Sequence, residues 1–261
     1  MRIQDFFFPV NTRNVYVSDA EHDIIDTDNA NTFLTPDVKA IVRIDTNEYI
    51  STVGENYKVV TNEELITKSM SYIDELGYKW NIDNSHSFCN NKRMKLAVVF
   101  PDIQFNDGRS DVDFSMYLHN SYNRAEGIRL FMGFIREICT NGMIAGKLLG
   151  KYYHRHTSGV NIENIGETVK DSIACVPQIQ ERIEQLKQIP VTVNKELQET
   201  LSDEFGDKLG KETCKSLYNY TQTDVANMYL LMNVITWYIS HHVSLQQRTM
   251  QQLKVSKYFG F

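Results

Sequence analysis

Lys147, Lys151 and Arg155 fall four residues apart, so on a helix their cationic ends share one stripe. Tyr152, Tyr153, His154 and His156 are interleaved with them. Cations attract phosphates and aromatic faces stack on unpaired bases, so this combination is suited to single-stranded nucleic acid. Lys92, Arg93 and Lys95 add charge upstream, and Arg124, Arg129 and Arg136 add it around a strand that should run Ile128–Ile138. The order read here is two aromatic-rich strands, a Thr-Asn-Gly turn, then a helix with a basic face. The same cations on a merely solvated face would hold no ligand, and composition alone leaves both readings open. The charge distribution favours a placed surface. Residues 1–91 hold seven Lys and Arg against fifteen Asp and Glu, residues 92–155 ten against six, and residues 156–261 ten against twelve. A positive middle therefore lies between negative flanks.

Other constellations carry less. Asn141-Gly142 reads as a structural turn, with Gly142 at positive φ, and the amides of the following helix would offer an anion site. No GxxxxGK[ST] or GxGxxG accompanies it, so nucleotide hydrolysis and dinucleotide binding are not indicated. His154 and His156, with His241-His242, lack the carboxylates or thiolates at fixed offsets that metal sites use, and no metal or cofactor is expected. Cys139 on an apolar strand reads as inert rather than nucleophilic. Asp111 and Asp113 read as a solvated strand edge. The Asp19–Asp28 run lacks the regular alternate carboxylates and closing Glu of a calcium loop.

The 261 residues are 42% hydrophobic and 23% charged, with a net charge of −6, as in an ordinary globular protein. A pI near 5.7 argues against indiscriminate coating of DNA while leaving room for a local basic groove. No window approaches 18 consecutive apolar residues, so no membrane helix is expected. The first residues lack a basic n-region and a long apolar core, and the chain reads as mature and cytosolic. Cys89, Cys139, Cys175 and Cys214 form no CxxC pair and read as reduced thiols.

Residues 1–37 read as an acidic segment. Val38–Ile44 and Tyr49–Val53 alternate across Asp45-Thr46-Asn47 as a hairpin, and Tyr57–Val60 as a short strand. Thr61 to Glu64 is a capping box, followed by Leu65, Ser69, Tyr72, Ile73 and Leu76 at helical spacing and a stop at Gly77. Strands are expected at Tyr78–Asp83, Met94–Phe100, Asp111–Leu118 and Ile128–Ile138, with turns at Pro101 and Asn106-Asp107-Gly108. Beyond Gly159 the pattern is helical: a stripe from Ile165 to Leu186 divided at Pro177, helices around Leu197–Phe205 and Leu209–Tyr218, and a long one from Asp224 past Val243. The expectation is an α+β fold: an antiparallel β-meander with flanking helices over residues 38–160, then a mainly helical region, 161–261, that can share the same core.

YKVVTNEELI (57–66), SMYLHNSYNRAEGIRLFMGFIREICTNGMI (115–144), YYHRHTSG (152–159) and NMYLLMNVITWYISHHVSLQQRTMQQL (227–253) together resemble the phage/plasmid-like family of domain-of-unknown-function proteins. The family's R-x-x-C-x-N-G turn is matched by Arg136, Cys139, Asn141 and Gly142, its R-H-T element by Arg155, His156 and Thr157, and its late N-x-x-T helix by Asn233 and Thr236. The loop Asn120-Ser121-Tyr122-Asn123 departs from the family's His, Asp and Gly. The resemblance implies a mobile-element origin and carries no activity with it. The order helix, meander, helix is also similar to phage single-strand annealing recombinases in topology alone. The resulting expectation is non-catalytic binding of single-stranded DNA or RNA in the cytoplasm of a bacterial host, in annealing, recombination or replication, with a homo-oligomer allowed. Lys147, Lys151 and Arg155 would contact phosphates, Arg129 and Arg136 would extend the field, and Tyr152, Tyr153 or His156 would meet bases. The rivals are a protein-interaction factor, such as an inhibitor of a host defence complex, and an enzyme acting on nucleotides or nucleic acid.

Overall fold

The structure, a computed structural model, describes residues 1–18, 32–108, 110–136, 141–144, 151–157 and 159–261, with backbone alone at 18, 32, 141, 144 and 151. After a 3-10 turn at Ile3–Phe6, β1 (Val10–Ser18), β2 (Thr32–Arg43) and β3 (Glu48–Gly54) form an antiparallel three-stranded sheet. The β2–β3 hairpin is where alternation and the Asp45–Asn47 turn place it. β1 has no counterpart in the sequence reading, and β2 begins well before the hairpin foreseen at Val38. The acidic run Asp19–Asp28 lies outside the described residues. Tyr57–Val60 is not a strand; Tyr57 makes a single bridge to Thr157.

The first helix, α1 (Asn62–Glu75), starts as its capping residues require, with the Thr61 hydroxyl accepting from the Glu64 amide at 3.0 Å. The main sheet follows: β4 (Asn81–Ile82), β5 (Phe88–Cys89), β6 (Arg93–Asn106), β7 (Asp111–Ser121), β8 (Ile128–Arg136), β9 (Asn141–Ile144) and β10 (Lys151–His154). All pairings are antiparallel, in the order β10-β8-β7-β6-β4, with β5 also on β6 and β9 also on β8. Pro101 does not end β6. It lies where the register slips between Phe100 and Gln104, a bulge that accommodates the missing amide.

Period-two alternation gives this sheet two unlike faces. Met94, Leu96, Val98 and Phe100 of β6, Phe114, Met116 and Leu118 of β7, and Ile128, Leu130, Met132 and Phe134 of β8 enter the main apolar core. The other face carries Lys95, Ala97, Ser115, Tyr117, His119, Arg129 and Phe131.

The remaining chain is mainly helical: α2 (Ile165–Ala174), α3 (Val176–Gln188), β11 (Pro190–Thr192), α4 (Lys195–Phe205), α5 (Asp207–Thr221), β12 (Val225–Asn227), α6 (Met228–His242) and α7 (Leu245–Phe259). Pro177 divides α2 from α3, as its ring demands. The α+β class is therefore observed, with helices collected in the C-terminal part. Ile165, Val169, Ile179, Ile183, Leu217, Ile235 and Ile239 share one core with α1 and the sheet. The long last helix is two, because Val243-Ser244 breaks it. No helix among the described residues is long and apolar enough to cross a membrane.

The largest correction concerns residues 141–156. Among the described residues there is no strand-turn-helix: Asn141-Gly142 opens β9, and Lys151–His154 is a strand paired with β8. Gly142 does not need positive φ. It is required by crowding, since a Cβ there would lie 2.7 Å from Gln252 Nε2 and 2.8 Å from His86 Nε2. The Gly142 amide donates to Ser240 Oγ at 3.2 Å, and its carbonyl accepts from Gln252 Nε2 at 2.7 Å. Gly142→Ala should therefore unseat α6 and α7 from β9 and cost about 1–3 kcal/mol. Urea unfolding measures it, and an unchanged midpoint would mean that these helices do not depend on that contact.

Candidate nucleic-acid interface

Tyr153 lies opposite Arg129 in the β10–β8 ladder, and Arg129 lies opposite His119, which lies opposite Lys95. These four residues form a row across the polar face of the sheet. The Tyr153 ring is 50% exposed and sits on Gly127, where a Cβ would meet its Cε2 at 3.0 Å and the His154 carbonyl oxygen at 2.3 Å. The Arg129 guanidinium lies 5.4 Å from the ring centroid, within cation–π range. A bare backbone beneath and a cation beside thus hold an aromatic plate at the sheet edge.

Burial along this segment alternates: Tyr152 and His156 are buried, while Tyr153 and Arg155 are exposed. The helical stripe is replaced by strand alternation. Lys151 and Tyr153 share a face through the ladder, and Arg155, two residues further on, is exposed as Tyr153 is. Lys147 and Cys139 lie outside the described residues, and at Lys151 and Asn141 only the backbone is described.

Three expected contacts are corrected. Tyr152 faces the core and donates its hydroxyl to the Asn161 carbonyl, so it cannot stack on a base. His156 is stacked on Tyr57 at 4.8 Å and hydrogen-bonds the Lys58 carbonyl at 3.2 Å. Burial lowers its pKa, which leaves it neutral. Arg136 lies seven residues from Arg129 along β8 and so on the opposite face, where its Nε donates to the buried Asp107 at 2.8 Å. Of the upstream cations, Arg93 is paired with Glu126 at 2.8 Å and Lys95 is fully buried. Nor do the histidines gather: His241 and His242 pack on Trp237 instead. Among the described residues no three His, Cys, Asp or Glu side chains come together.

Beside the Arg129 row, α7 covers the rest of the polar face with an unusual stripe of Arg248, Thr249 and Gln252, all buried. Burial pushes the Glu126 carboxyl up, but His119 and Arg93 outweigh it and hold it at about 2. Burial also lowers His119, so its neutral ring donates from Nδ1 to Glu126 at 3.2 Å and accepts the Thr249 hydroxyl at Nε2, 3.3 Å away. His86 is likewise lowered by burial and donates from Nδ1 to Asp83 at 2.6 Å, while Arg248 donates to the Ser85 carbonyl at 3.0 Å. Lys95 Nζ lies 4.9 Å over the Tyr117 ring with no hydrogen-bond partner among the described residues. Apolar periodicity gives no sign of this network. The one signal in sequence was a lone Lys inside the apolar run Met94–Phe100.

Burial brings Lys95 from its ordinary value near 10.5 to about 7. The unfolded chain therefore binds the proton more tightly, and the destabilisation is full below pH ~7 and gone above pH ~10.5. Lys95→Met should raise stability by on the order of 4 kcal/mol at neutral pH, with the gain shrinking as the pH rises toward ~10. Denaturant unfolding across that range tests it, and a gain independent of pH would show that Lys95 is not desolvated.

No curated protein and no solved structure matches the chain significantly. The model of one family, described as a domain of unknown function (DUF932), matches residues 49–258, from β3 to the end of α7. That span holds both faces of the main sheet and, among the described residues, α1 to α7, and the chain belongs to the DUF932 family.

Proposed function

We propose that this chain binds single-stranded nucleic acid, without catalysis, on the open part of the polar sheet face at the β8–β10 edge. The observation that carries the reading is the Tyr153 plate, seated on Gly127 with Arg129 beside it. A base stacks on Tyr153, and phosphates meet Arg129 and Arg155. One such stack is worth roughly 1–3 kcal/mol, enough with a few ion contacts for micromolar binding. Because the plate reads a π-face rather than a base edge, binding is tolerant of sequence, as annealing, recombination or replication of a mobile element in a bacterial host requires. Arg93 and Arg136 are ion-paired and take no part.

A second reading is a protein-interaction factor. It is favoured by the far half of the β1–β2 ribbon, where Tyr16 and Leu34 pair across the strands, as do Val17 and Phe33, and all four are more than half exposed. Adjacent strand residues face opposite ways, so this ribbon shows apolar side chains on both sides. Such a ribbon fits another protein or another copy of this chain.

Binding to a fluorescent oligothymidylate at several salt concentrations separates the two. Affinity should fall steeply with salt and exceed that for duplex. Tyr153→Ala should weaken binding about tenfold, Tyr153→Phe should preserve it, and adding Arg129→Glu to Tyr153→Ala should abolish it. A folded Tyr153→Ala/Arg129→Glu protein with unchanged affinity would refute this face and leave the interaction reading.

A further inference from the structure

A cavity of about 520 Å³ opens at the far end of the main sheet, where the β6–β7 turn and the end of β8 meet α3, α5 and the start of α6. It falls within the size range of small-molecule sites, roughly 300–1,000 Å³. Its walls combine flat rings with cations. Trp237 is 39% exposed and Tyr220 58%, and both line the cavity along with Lys187 and Arg136.

The cations are held in different ways. Asp107 has a fully buried carboxylate that accepts from the Ser110 amide at 2.9 Å, from Tyr229 at 2.5 Å and from Arg136 Nε at 2.8 Å. Three donors occupy that carboxylate, so it orients the guanidinium rather than recruiting a cationic ligand. Lys187 lies 5.5 Å over the Tyr229 ring, and its pairing with Glu184 is a surface one that a stronger anion can displace. The first turn of α6 contributes Tyr229 and Leu230, so the positive end of a 15-residue helix also faces this site. Asn227, Asn233 and Ser216 complete the walls with polar groups. Aromatic plates at the mouth, cations and a helix N-terminus alongside, and amides between them match a planar heteroaromatic ring that carries an anionic group.

We propose that this cavity binds a nucleoside monophosphate, its base against Trp237 and Tyr220 and its phosphate toward Lys187 and Arg136. This site is separate from the sheet edge and stands whether or not that edge binds nucleic acid.

The chain has two tryptophans, so in a Trp80→Phe background Trp237 fluorescence reports this cavity alone. AMP, GMP, CMP and UMP are titrated, with inorganic phosphate and the matching free nucleosides as controls. At least one monophosphate should quench Trp237 saturably with a Kd of ~1 mM or tighter, and its phosphate and nucleoside halves should each bind at least about tenfold more weakly. Lys187→Glu, in protein whose circular dichroism spectrum and urea midpoint match those of the parent, should weaken binding about tenfold or more, and Tyr153→Ala should leave it unchanged. No saturable quench by any of the four, full affinity in Lys187→Glu, or loss of binding in Tyr153→Ala would each overturn the proposal.

Discussion

Strict alternation of side chains along β6, β7 and β8 is the constraint from which the rest of the molecule follows. Because successive residues point to opposite faces, the same strands that supply Leu96, Met116 and Leu130 to the core must carry Lys95, Tyr117 and Arg129 on the other side. One face can then be closed by ordinary hydrophobic packing, and α1, α2, α3 and α6 do so. The other cannot. It has to be solvated, bound by a ligand, or covered by an element able to satisfy polar groups.

Two of these three outcomes, solvent and polar cover, are met on different parts of that face. Over β6 and β7 the cover is α7, which turns an Arg, a Thr and a Gln inward where a core helix normally presents leucines. Glu126 fixes His119 and Arg93, and His119 in turn meets Thr249. The helix is thereby positioned by directional bonds rather than by apolar area. Gly142 sets how closely this layer can approach, and Leu253 adds the small apolar patch with Ala97, Tyr117 and Phe131. Among the described residues this cover reaches Phe131 and Ile135 of β8, and beyond it, at Arg129 and Tyr153, the face is more open.

This division explains what was legible in the sequence. α1 was readable because its cap and its apolar spacing agree locally, and the β2–β3 hairpin because alternation and turn chemistry coincide. The helix expected after Asn141 failed for a definite reason. Lys147, Lys151 and Arg155 are compatible with period 3.6, but Lys151, Tyr153 and Arg155 are equally compatible with period 2, and pairing to β8 decides between them. Tyr152 and Tyr153 are good strand residues, and Gly127 across the ladder admits them closely. The cations were misjudged because a sequence does not reveal which carboxylate will reach an arginine. Glu126 lies 33 residues from Arg93, and Asp107 lies 29 from Arg136. α7 was hidden because its inward stripe is polar.

The residues that carried the family resemblance take on distinct physical roles once placed. Tyr57, from the opening motif, stacks on His156 and bridges to Thr157, so the first and third motifs together fasten the chain beyond β10 to the segment before α1. β10 itself is held against β8 by the ladder from Lys151 to His154, and this fastening lies directly beyond it. Arg136 and Asn233, from the turn and the late helix, instead meet at the cavity on the opposite face, 97 positions apart in sequence. Neither pair would be recognised from spacing, since each is completed by a residue distant in the chain. Both lie inside the 49–258 span, whereas β1 and β2 lie before it. The apolar β1–β2 ribbon is thus built on the edge of the family region, pairing to it through β3, and neither the sheet edge nor the cavity draws a residue from it.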